Sequence, residues 1–147
     1  MKKINIILFF TIALLTIGCE TYDDYQPRKT TIGFVPSTRN INGVPNNSYK
    51  SIDVEIFIND VSDQERTFNI ISIPAVFDPT VSPQIESAPE NYTFDSSVTI
   101  SANSRNGVIT VSGTNVSLGD DDEYFSLAVE GSDNVVSGSP ITVRLRH

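Results

Sequence analysis

The side chains able to perform chemistry are few and far apart in this chain of 147 residues. Cys19 is the only cysteine, and His147 is the only histidine. Nucleophilic catalysis of the Ser-His-Asp or Cys-His kind needs a histidine beside the nucleophile, and a zinc site needs several Cys or His ligands. Hydrolysis by a carboxylate pair normally needs a deep cleft, which a small domain rarely builds. We therefore expect a protein that is not an enzyme.

Cys19 stands where a short apolar segment ends. Residues 4–17 are almost wholly apolar and follow the basic pair Lys2-Lys3. A bilayer span needs about 20 such residues, so this shorter segment is typical of a signal peptide. The stretch Leu15-Thr16-Ile17-Gly18-Cys19 resembles the lipobox of bacterial lipoproteins, although Ala or Ser often stands where this chain has Ile17. The resemblance implies cleavage between Gly18 and Cys19 and attachment of acyl chains to Cys19, and two or more chains hold a protein stably on a membrane.

These observations divide the chain into three parts. Residues 1–18 are predicted to be a lipoprotein signal peptide, residues 19–30 a lipidated cysteine with a flexible polar tether, and residues 31–147 one domain. The acidic residues after the cysteine resemble the export signals of some surface lipoproteins of Gram-negative bacteria. They favour a lipid-anchored position at the outer membrane that faces the cell exterior, and the periplasmic face stays open as the alternative.

The charge of the chain restricts its partners. The formal charge is -8, and loss of Lys2 and Lys3 with the signal peptide leaves eight basic and 18 acidic side chains, or -10. An acidic surface repels phosphate backbones, so we expect no nucleic acid partner. Solubility at a crowded cell surface explains the same charge.

Apolar and polar residues alternate through most of the chain after residue 30, and this period of two is typical of strands with one buried face. The clearest alternation covers residues 52–58, 98–102, 125–129 and 141–145, and weaker runs cover residues 31–35, 67–73, 92–94 and 108–112. Asn106-Gly107 predicts a hairpin turn between two of these runs. Long loops are expected at residues 36–49, 74–90 and 131–140. The pattern predicts an all-β fold, a single immunoglobulin-like antiparallel β-sandwich of seven to eight strands.

The same runs resemble one family. The stretch Glu123–Val129, which precedes a Gly-containing loop and the last run Ile141–Leu145, looks like the Calx-beta type of immunoglobulin-like domain. Ser87–Tyr92 and the segment Val98–Val111 resemble further parts of that family, and the similarity extends over residues 31–146. Similar sandwiches occur in lipoproteins encoded with the glycan-uptake systems of Gram-negative bacteria.

Some Calx-beta domains bind calcium through acidic loop residues, so the resemblance implies Asp120, Asp121, Asp122 and Glu123 as candidate calcium ligands. Calcium needs several oxygen ligands that converge on one point. The family normally separates its Asp run from its Glu, whereas the two are fused here. Four adjacent acids between strands are also typical of a solvated turn.

Tyrosines are the remaining candidates for binding, because the chain has no Trp. Tyr49 and Tyr92 are the candidate glycan platform, and packing at a strand end is the alternative for Tyr92 and for Tyr124. We expect a non-catalytic, lipid-anchored cell-envelope protein that serves as an interaction or accessory module at the outer membrane, with an envelope protein or a glycan as partner. A glycan-binding surface lipoprotein of a polysaccharide-uptake system, with the proline-rich loop of residues 74–90 and the tyrosines as its platform, is the alternative.

Overall fold

The computed structural model describes residues 28–80, 82 and 84–147. The predicted signal peptide, the cleavage site Gly18-Cys19 and the tether up to residue 27 lie outside the described residues. Among the described residues, no helix has the length and apolar character needed to cross a bilayer. The strands are β1 (Thr30–Phe34), β2 (Thr38–Asn42), β3 (Tyr49–Ile58), β4 (Arg66–Ile73), β5 (Ile85–Glu86), β6 (Tyr92–Phe94), β7 (Ser97–Ile100), β8 (Asn106–Thr114), β9 (Glu123–Val129), β10 (Val135–Ser137) and β11 (Ile141–Arg146), with one 3₁₀ turn at Pro89–Asn91.

The strands form two sheets. Sheet I has the order β10-β1-β3-β8-β6, and sheet II has the order β2-β11-β9-β4-β7 with β5 paired to β9. The inner faces of the two sheets form one apolar core, as the period of two in the sequence requires. Along β3, for example, Val54, Ile56 and Ile58 are buried while the residues between them are exposed. The predicted all-β, immunoglobulin-like sandwich is confirmed.

Three short strands lie in segments predicted to be loops. β2 falls within residues 36–49, β5 within residues 74–90 and β10 within residues 131–140. Each of them pairs in parallel, β2 with β11, β5 with β9 and β10 with β1. The sandwich therefore has eleven described strands and is not purely antiparallel. Since parallel neighbours come from distant parts of the chain, no local turn signal announces them.

The prediction of a hairpin turn at Asn106-Gly107 is wrong. Both residues lie at the start of β8, and the turn that precedes them has Asn103 at a positive φ of 61° and a hydrogen bond from Ser104 N to Ser101 O. Gly107 is needed for packing, because a Cβ there would lie 2.6 Å from side-chain atoms of Ile100 and Val98. The glycine lets β8 approach β7 across the sandwich.

Strand β9 is covered on both faces, unlike the other long strands. Its inward residues Phe125 and Leu127 belong to the core, but the outward Ser126 is also fully buried, at 0% exposure. A neighbouring segment must cover that outer face, and the hydrogen bonds identify it as the loop that contains Val76, of which residues 74–80, 82 and 84 are described. This loop and the outer face of sheet II enclose the site described next.

Candidate functional site

A ring of hydrogen bonds fastens the loop to sheet II. Val76 N donates to Ser126 Oγ over 2.9 Å, and Thr142 Oγ1 donates to Val76 O over 3.0 Å. The two hydroxyl oxygens of Ser126 and Thr142 lie 2.9 Å apart. Since Thr142 already donates to the loop, Ser126 must donate to Thr142, and the ring closes with every donor used. Such a closed network holds the loop at a fixed height above the sheet.

The loop also holds itself together through Asp78. Its Oδ1 accepts hydrogen bonds from Thr80 Oγ1 at 2.7 Å and Thr80 N at 2.8 Å, and these two bonds, the hydroxyl first, lower the pKa of the Asp78 carboxyl from its ordinary value of 3.8. Asp78 N donates to Gln84 Oε1 over 2.9 Å, and Gln84 Nε2 donates back to Asp78 O. Asp78 is thus an anion at neutral pH with a fixed place in the loop.

Between this loop and the strands lies a cavity of about 210 Å³, here called the loop cavity. Its lining combines one aromatic ring with hydroxyl, amide and charged groups, contributed by Thr38, Arg39, Asn40, Val76, Asp78, Gln84, Tyr124, Thr142 and Arg144. The Tyr124 ring is held edge-on by Phe77 of the loop, with ring centroids 6.3 Å apart and an interplanar angle of 80°. That is the edge-to-face geometry which aromatic pairs prefer.

Three neighbouring strands place the polar groups of the cavity in register. Asn40 of β2 lies opposite Arg144 of β11, which lies opposite Tyr124 of β9. The next row, one pleat along, consists of Thr38, Thr142 and Ser126. Because adjacent strands are about 4.8 Å apart, each row spans roughly 10 Å. The floor of the cavity therefore consists of two aligned rows of side chains, each wide enough to contact one or two sugar-sized rings.

The guanidinium of Arg144 is incompletely paired. Its Nη1 lies 3.3 Å from Asp122 Oδ2 and its Nη2 lies 3.4 Å from Asn42 Oδ1, both long contacts, while its Nε is buried without a hydrogen-bond partner. Asp122 also pairs with Arg146, whose Nε lies 2.8 Å from Oδ1. One carboxylate thus serves two guanidinium groups, and positive charge remains beside the cavity.

A second depression, of about 460 Å³, borders the loop cavity along β2. The two share Thr38, Arg39 and Asn40, and the second is completed by Ile52 and Asp53 of β3. Among the described ion pairs none involves Arg39. Strand β2 therefore separates the loop cavity from the second depression and contributes residues to both.

The four acids predicted as calcium ligands face different partners. Glu123 is buried, at 7% exposure, and accepts hydrogen bonds from Ser87 Oγ at 2.8 Å, Asn91 Nδ2 at 3.2 Å and Gly119 N at 3.0 Å. Asp122 is engaged by the two arginines described above.

Of the other two acids, Asp120 lies 3.6 Å from Nε2 of His147, and Asp121 is exposed. Within the described part of the chain, no three His, Cys, Asp or Glu side chains are grouped so that they hold a metal ion. The arrangement gives the calcium prediction no support, and it stays a prediction.

Tyr49 and Tyr92 do not form one platform. On β8, Tyr49 lies opposite Thr114 and Tyr92 lies opposite Gly113, so the two tyrosines point to opposite faces of sheet I. Tyr92 points inward and stacks on Phe125, with centroids 4.0 Å apart and an interplanar angle of 2°.

The hydroxyl of Tyr92 lies 3.0 Å from Ser72 Oγ. Tyr49 is 67% exposed and borders an open depression of about 450 Å³ with Val116 and the turn residues Asn47 and Ser48. Tyr92 is therefore partly buried and packs against the core, and of the two tyrosines only Tyr49 presents a mostly exposed ring.

Sequence reasoning named the proline-rich loop of residues 74–90 as part of a glycan platform, but it missed the cavity between this loop and sheet II. Tyr124 was visible in the alternating run, but only the fold brings Phe77 of the proline-rich loop against it. The sequence did contain one signal, in residues 123–129. Ser126 and Ala128 are small residues at outward positions, where an exposed strand face normally carries larger polar groups. Small outward residues on a strand indicate that something packs over them.

No protein-family model matches this chain, and no curated protein matches it. Solved structures do resemble it. A putative carbohydrate binding protein from Bacteroides ovatus matches over 79% of this chain and 36% of its own length, with a TM-score of 0.60 and 11% identity. The apo form of the Calx CBD1 domain matches over 82% of this chain and 99% of its own length, with a TM-score of 0.58 and 11% identity.

A Bacteroides ovatus protein of unknown function matches over 78% of this chain and 43% of its own length, with a TM-score of 0.58 and 14% identity. The chain spans less than half the length of either Bacteroides ovatus protein. At these identities the likeness concerns the fold alone. The fold is a Calx-beta-like, immunoglobulin-like β-sandwich, as the resemblance in the sequence implies.

Proposed function

We propose that this chain is a non-catalytic, lipid-anchored accessory protein of the bacterial outer membrane, and that its sandwich binds a glycan in the loop cavity. The observation that carries the proposal is the lining of that cavity. One aromatic ring, Tyr124, stands beside the amide of Asn40 and the charged groups of Arg144 and Asp78.

The chemistry of this lining suits a sugar ring. A pyranose offers apolar C–H faces that pack on an aromatic ring and hydroxyls that both donate and accept hydrogen bonds. Ligand sites usually combine an apolar surface with a few placed polar groups, and sites for drug-sized ligands have roughly 300–1,000 Å³. The loop cavity, at about 210 Å³, is smaller and suits a single ring-sized unit. The depression across β2 offers room for a neighbouring unit of the same chain.

The description of one structural neighbour is compatible with the same class of ligand. One Bacteroides ovatus protein of similar fold is described as a putative carbohydrate binding protein. That description belongs to a longer protein, of which this chain matches 36%, so it supports the proposal only as a precedent for the fold. The proposed lack of catalysis rests on the sequence, in which His147 is the only histidine.

The proposed anchor rests on the stretch Leu15–Cys19 and on the beginning of the sandwich at Thr30. Replacing Cys19 with Ala should move the protein from the membrane fraction to the soluble fraction of cells. Protease treatment of intact cells should digest the wild-type protein if it faces the exterior. A Cys19→Ala protein that stays in the membrane fraction would contradict the lipid anchor.

The glycan proposal is tested with a glycan array followed by NMR titration of the isolated protein. Tyr124→Ala should abolish the binding found on the array, because the stacking face is lost. Tyr49→Ala is the matched control, since that ring lies on sheet I and is 67% exposed. Loss of binding in the Tyr49 variant alone would move the site to sheet I, and an array without any hit would contradict glycan binding.

An envelope protein is the second candidate partner. Val35, Phe57 and Val108 are 56%, 43% and 58% exposed. They lie near one another on the outer face of sheet I, because Val35 N donates to Glu55 O and Glu55 lies opposite Val108. Exposed apolar groups that cluster are typical of protein contacts. Cross-linking in intact cells, followed by isolation of the wild-type and Phe57→Ser proteins, should capture a partner with the wild type only.

A further inference from the structure

The loop cavity has walls of opposite charge. Arg144 stands on the sheet side, and Asp78 stands in the loop that covers the sheet. Hydrogen bonds from Thr80 keep the Asp78 carboxyl ionised, and the guanidinium of Arg144 is always charged. A ligand that fills the cavity must therefore satisfy a cation at one end and an anion at the other.

Basic side chains gather at this end of sheet II although the protein as a whole is acidic. Residues 28–147 contain eight Lys and Arg, and four of them lie on β2, on β11 or at the start of β3, namely Arg39, Lys50, Arg144 and Arg146. The Nζ of Lys50 donates to Asn42 O over 2.6 Å, which places its charge beside β2. Two of these basic residues, Arg39 and Arg144, line the loop cavity itself.

The carboxylate that pairs with Arg144 also pairs with a second arginine. Asp122 is shared between Arg144 and Arg146 through contacts of 3.3 and 2.8 Å. The side chain of Arg144 is 30% exposed, so it is open to a ligand in the cavity. Its two terminal nitrogens, Nη1 and Nη2, make one long contact each, of 3.3 and 3.4 Å, which leaves donor capacity in a group suited to planar carboxylates.

We propose that the loop cavity selects sugar units that carry a carboxylate, that is, uronic acid residues of an anionic glycan. This inference rests on the proposed glycan binding and names the class of sugar. Arg144 binds the carboxylate, the Tyr124 ring packs against the sugar face, and Asp78 and Asn40 accept hydrogen bonds from its hydroxyls.

The cross-strand row explains why one ring can meet all of these groups. Asn40, Arg144 and Tyr124 are direct neighbours on three adjacent strands, within roughly 10 Å. Asp78 closes the opposite side through the loop. A fully neutral sugar adds no charged partner to the long contacts of Arg144 with Asp122 and Asn42, and a group with several negative charges is repelled by Asp78. A sugar ring with one carboxylate and several hydroxyls can pair with Arg144 through the carboxylate and donate hydrogen bonds to Asp78 through the hydroxyls.

The test uses uronic acid oligosaccharides of several stereochemistries, each with its methyl ester as the matched neutral probe. Binding to the wild-type protein is measured by calorimetry at low salt. Hydrogen bonds to charged groups contribute more than neutral ones, so the acid form should bind roughly 10-fold or more tightly than its ester. The advantage should shrink as the salt concentration rises, because the cavity is open to solvent.

Three variants separate the charge of Arg144 from general effects. Arg144→Gln should reduce the preference for the acid form to less than about twofold. The acid loses the charged hydrogen bond from Arg144, whereas the affinity of the neutral ester does not depend on that charge. Asp122→Asn should strengthen acid binding instead, because it removes the competing carboxylate. Arg105→Gln, at an exposed position before β8, is the control and should leave the preference unchanged.

Each result decides between the proposals. Equal binding of acid and ester by the wild type, or a preference that survives Arg144→Gln, overturns the assignment of uronic acids and leaves glycan binding intact. Binding of neutral glycans alone has the same meaning. If no glycan of either kind binds, both the inference and the proposed function fall. If Arg144→Gln does not fold, the sign of the Asp122→Asn effect decides the role of Arg144.

Discussion

Replacing Glu123 with Gln should destabilise the sandwich, although the two side chains have nearly the same volume. The carboxylate of Glu123 faces three donors, Ser87 Oγ, Asn91 Nδ2 and Gly119 N, and it is 7% exposed. A Gln side chain has one acceptor oxygen and one NH₂ group. In either orientation the NH₂ group therefore points at a donor, and at least one buried donor loses its partner.

The size of the effect follows from these contacts. A hydrogen bond to a charged group contributes about 1.5–3 kcal/mol and a neutral one about 0.5–1.5 kcal/mol. Gln loses one bond and weakens the other two, but a neutral amide is cheaper to bury than a carboxylate. The balance is a loss of about 2 kcal/mol in the free energy of unfolding. For a domain of this size the melting temperature should fall by roughly 5–10 °C.

Urea unfolding followed by circular dichroism measures this loss, with mature protein carrying Cys19→Ala as the reference. Glu130→Gln is the matched control, because Glu130 is exposed and accepts one described hydrogen bond, from Asn69 Nδ2 at 2.9 Å. That change should stay within about 0.5 kcal/mol. A Glu123→Gln protein as stable as the reference, with an unchanged denaturant slope, would refute the assignment of Glu123 as a structural acceptor. Calcium that stabilises the reference protein but not the variant would assign Glu123 as a ligand instead.

Other substitutions test the packing and the loop. Tyr92→Ala should cost about 2–4 kcal/mol because the ring stacks on a core phenylalanine, whereas Tyr49→Ala should change unfolding by less than about 0.5 kcal/mol. Gly33→Ala should cost about 1–3 kcal/mol, since a Cβ there would lie 2.9 Å from a backbone nitrogen. Thr80→Val should raise the pKa of Asp78 toward 3.8 in an NMR titration, because the hydroxyl bond is the largest cause of its lowering. Since the folded pKa is lowered, the stabilisation from Asp78 is present above the unfolded pKa and is lost as the pH falls through the folded pKa.

Each of these expectations can fail in a definite way. Equal unfolding energies for the two tyrosine variants would contradict the assignment of Tyr92 to the core. Gly119→Ala is the control for Gly33→Ala, because its nearest atoms lie 4.0 Å from a Cβ at that position, and equal losses in the two variants would contradict the argument from close approach. An Asp78 pKa that stays unchanged in the Thr80 variant would show that the hydroxyl is not the cause of the shift.

The sequence predicted the strands that bury one face. The alternation in residues 52–58 and 141–145 correctly predicted β3 and β11, because every second side chain of these strands enters the core. It could not give β2, in which Ile41 alone is buried. That strand forms because β11 offers it a parallel edge, and a partner a hundred residues away leaves no local pattern.

The candidate site was less predictable than the fold. Tyr49 and Tyr92, the two tyrosines chosen from the sequence, point to opposite faces of sheet I. They do so because they pair with adjacent residues of β8, Thr114 and Gly113, and a shift of one residue in the pairing would place them on the same face. Tyr124 became a site residue only because the proline-rich loop returns over β9. The position of that loop is fixed by Ser126 and Thr142, and the sequence does not show that their hydroxyls bond to the backbone of Val76.

The parallel pairing of β2 with β11 has a consequence for how the protein matures. The side chains of Asn42 and Arg144 are joined by a hydrogen bond although they are 102 positions apart. Folds with such distant contacts assemble slowly, because the loop must close before the contact stabilises anything. In an exported chain β2 therefore waits, unpaired, for the last strand to cross the membrane, whereas β1 and β3 can pair with each other earlier. Truncation before Ile141 should leave β2 and one edge of β9 open, and the expected product is an aggregating species in place of a smaller sandwich.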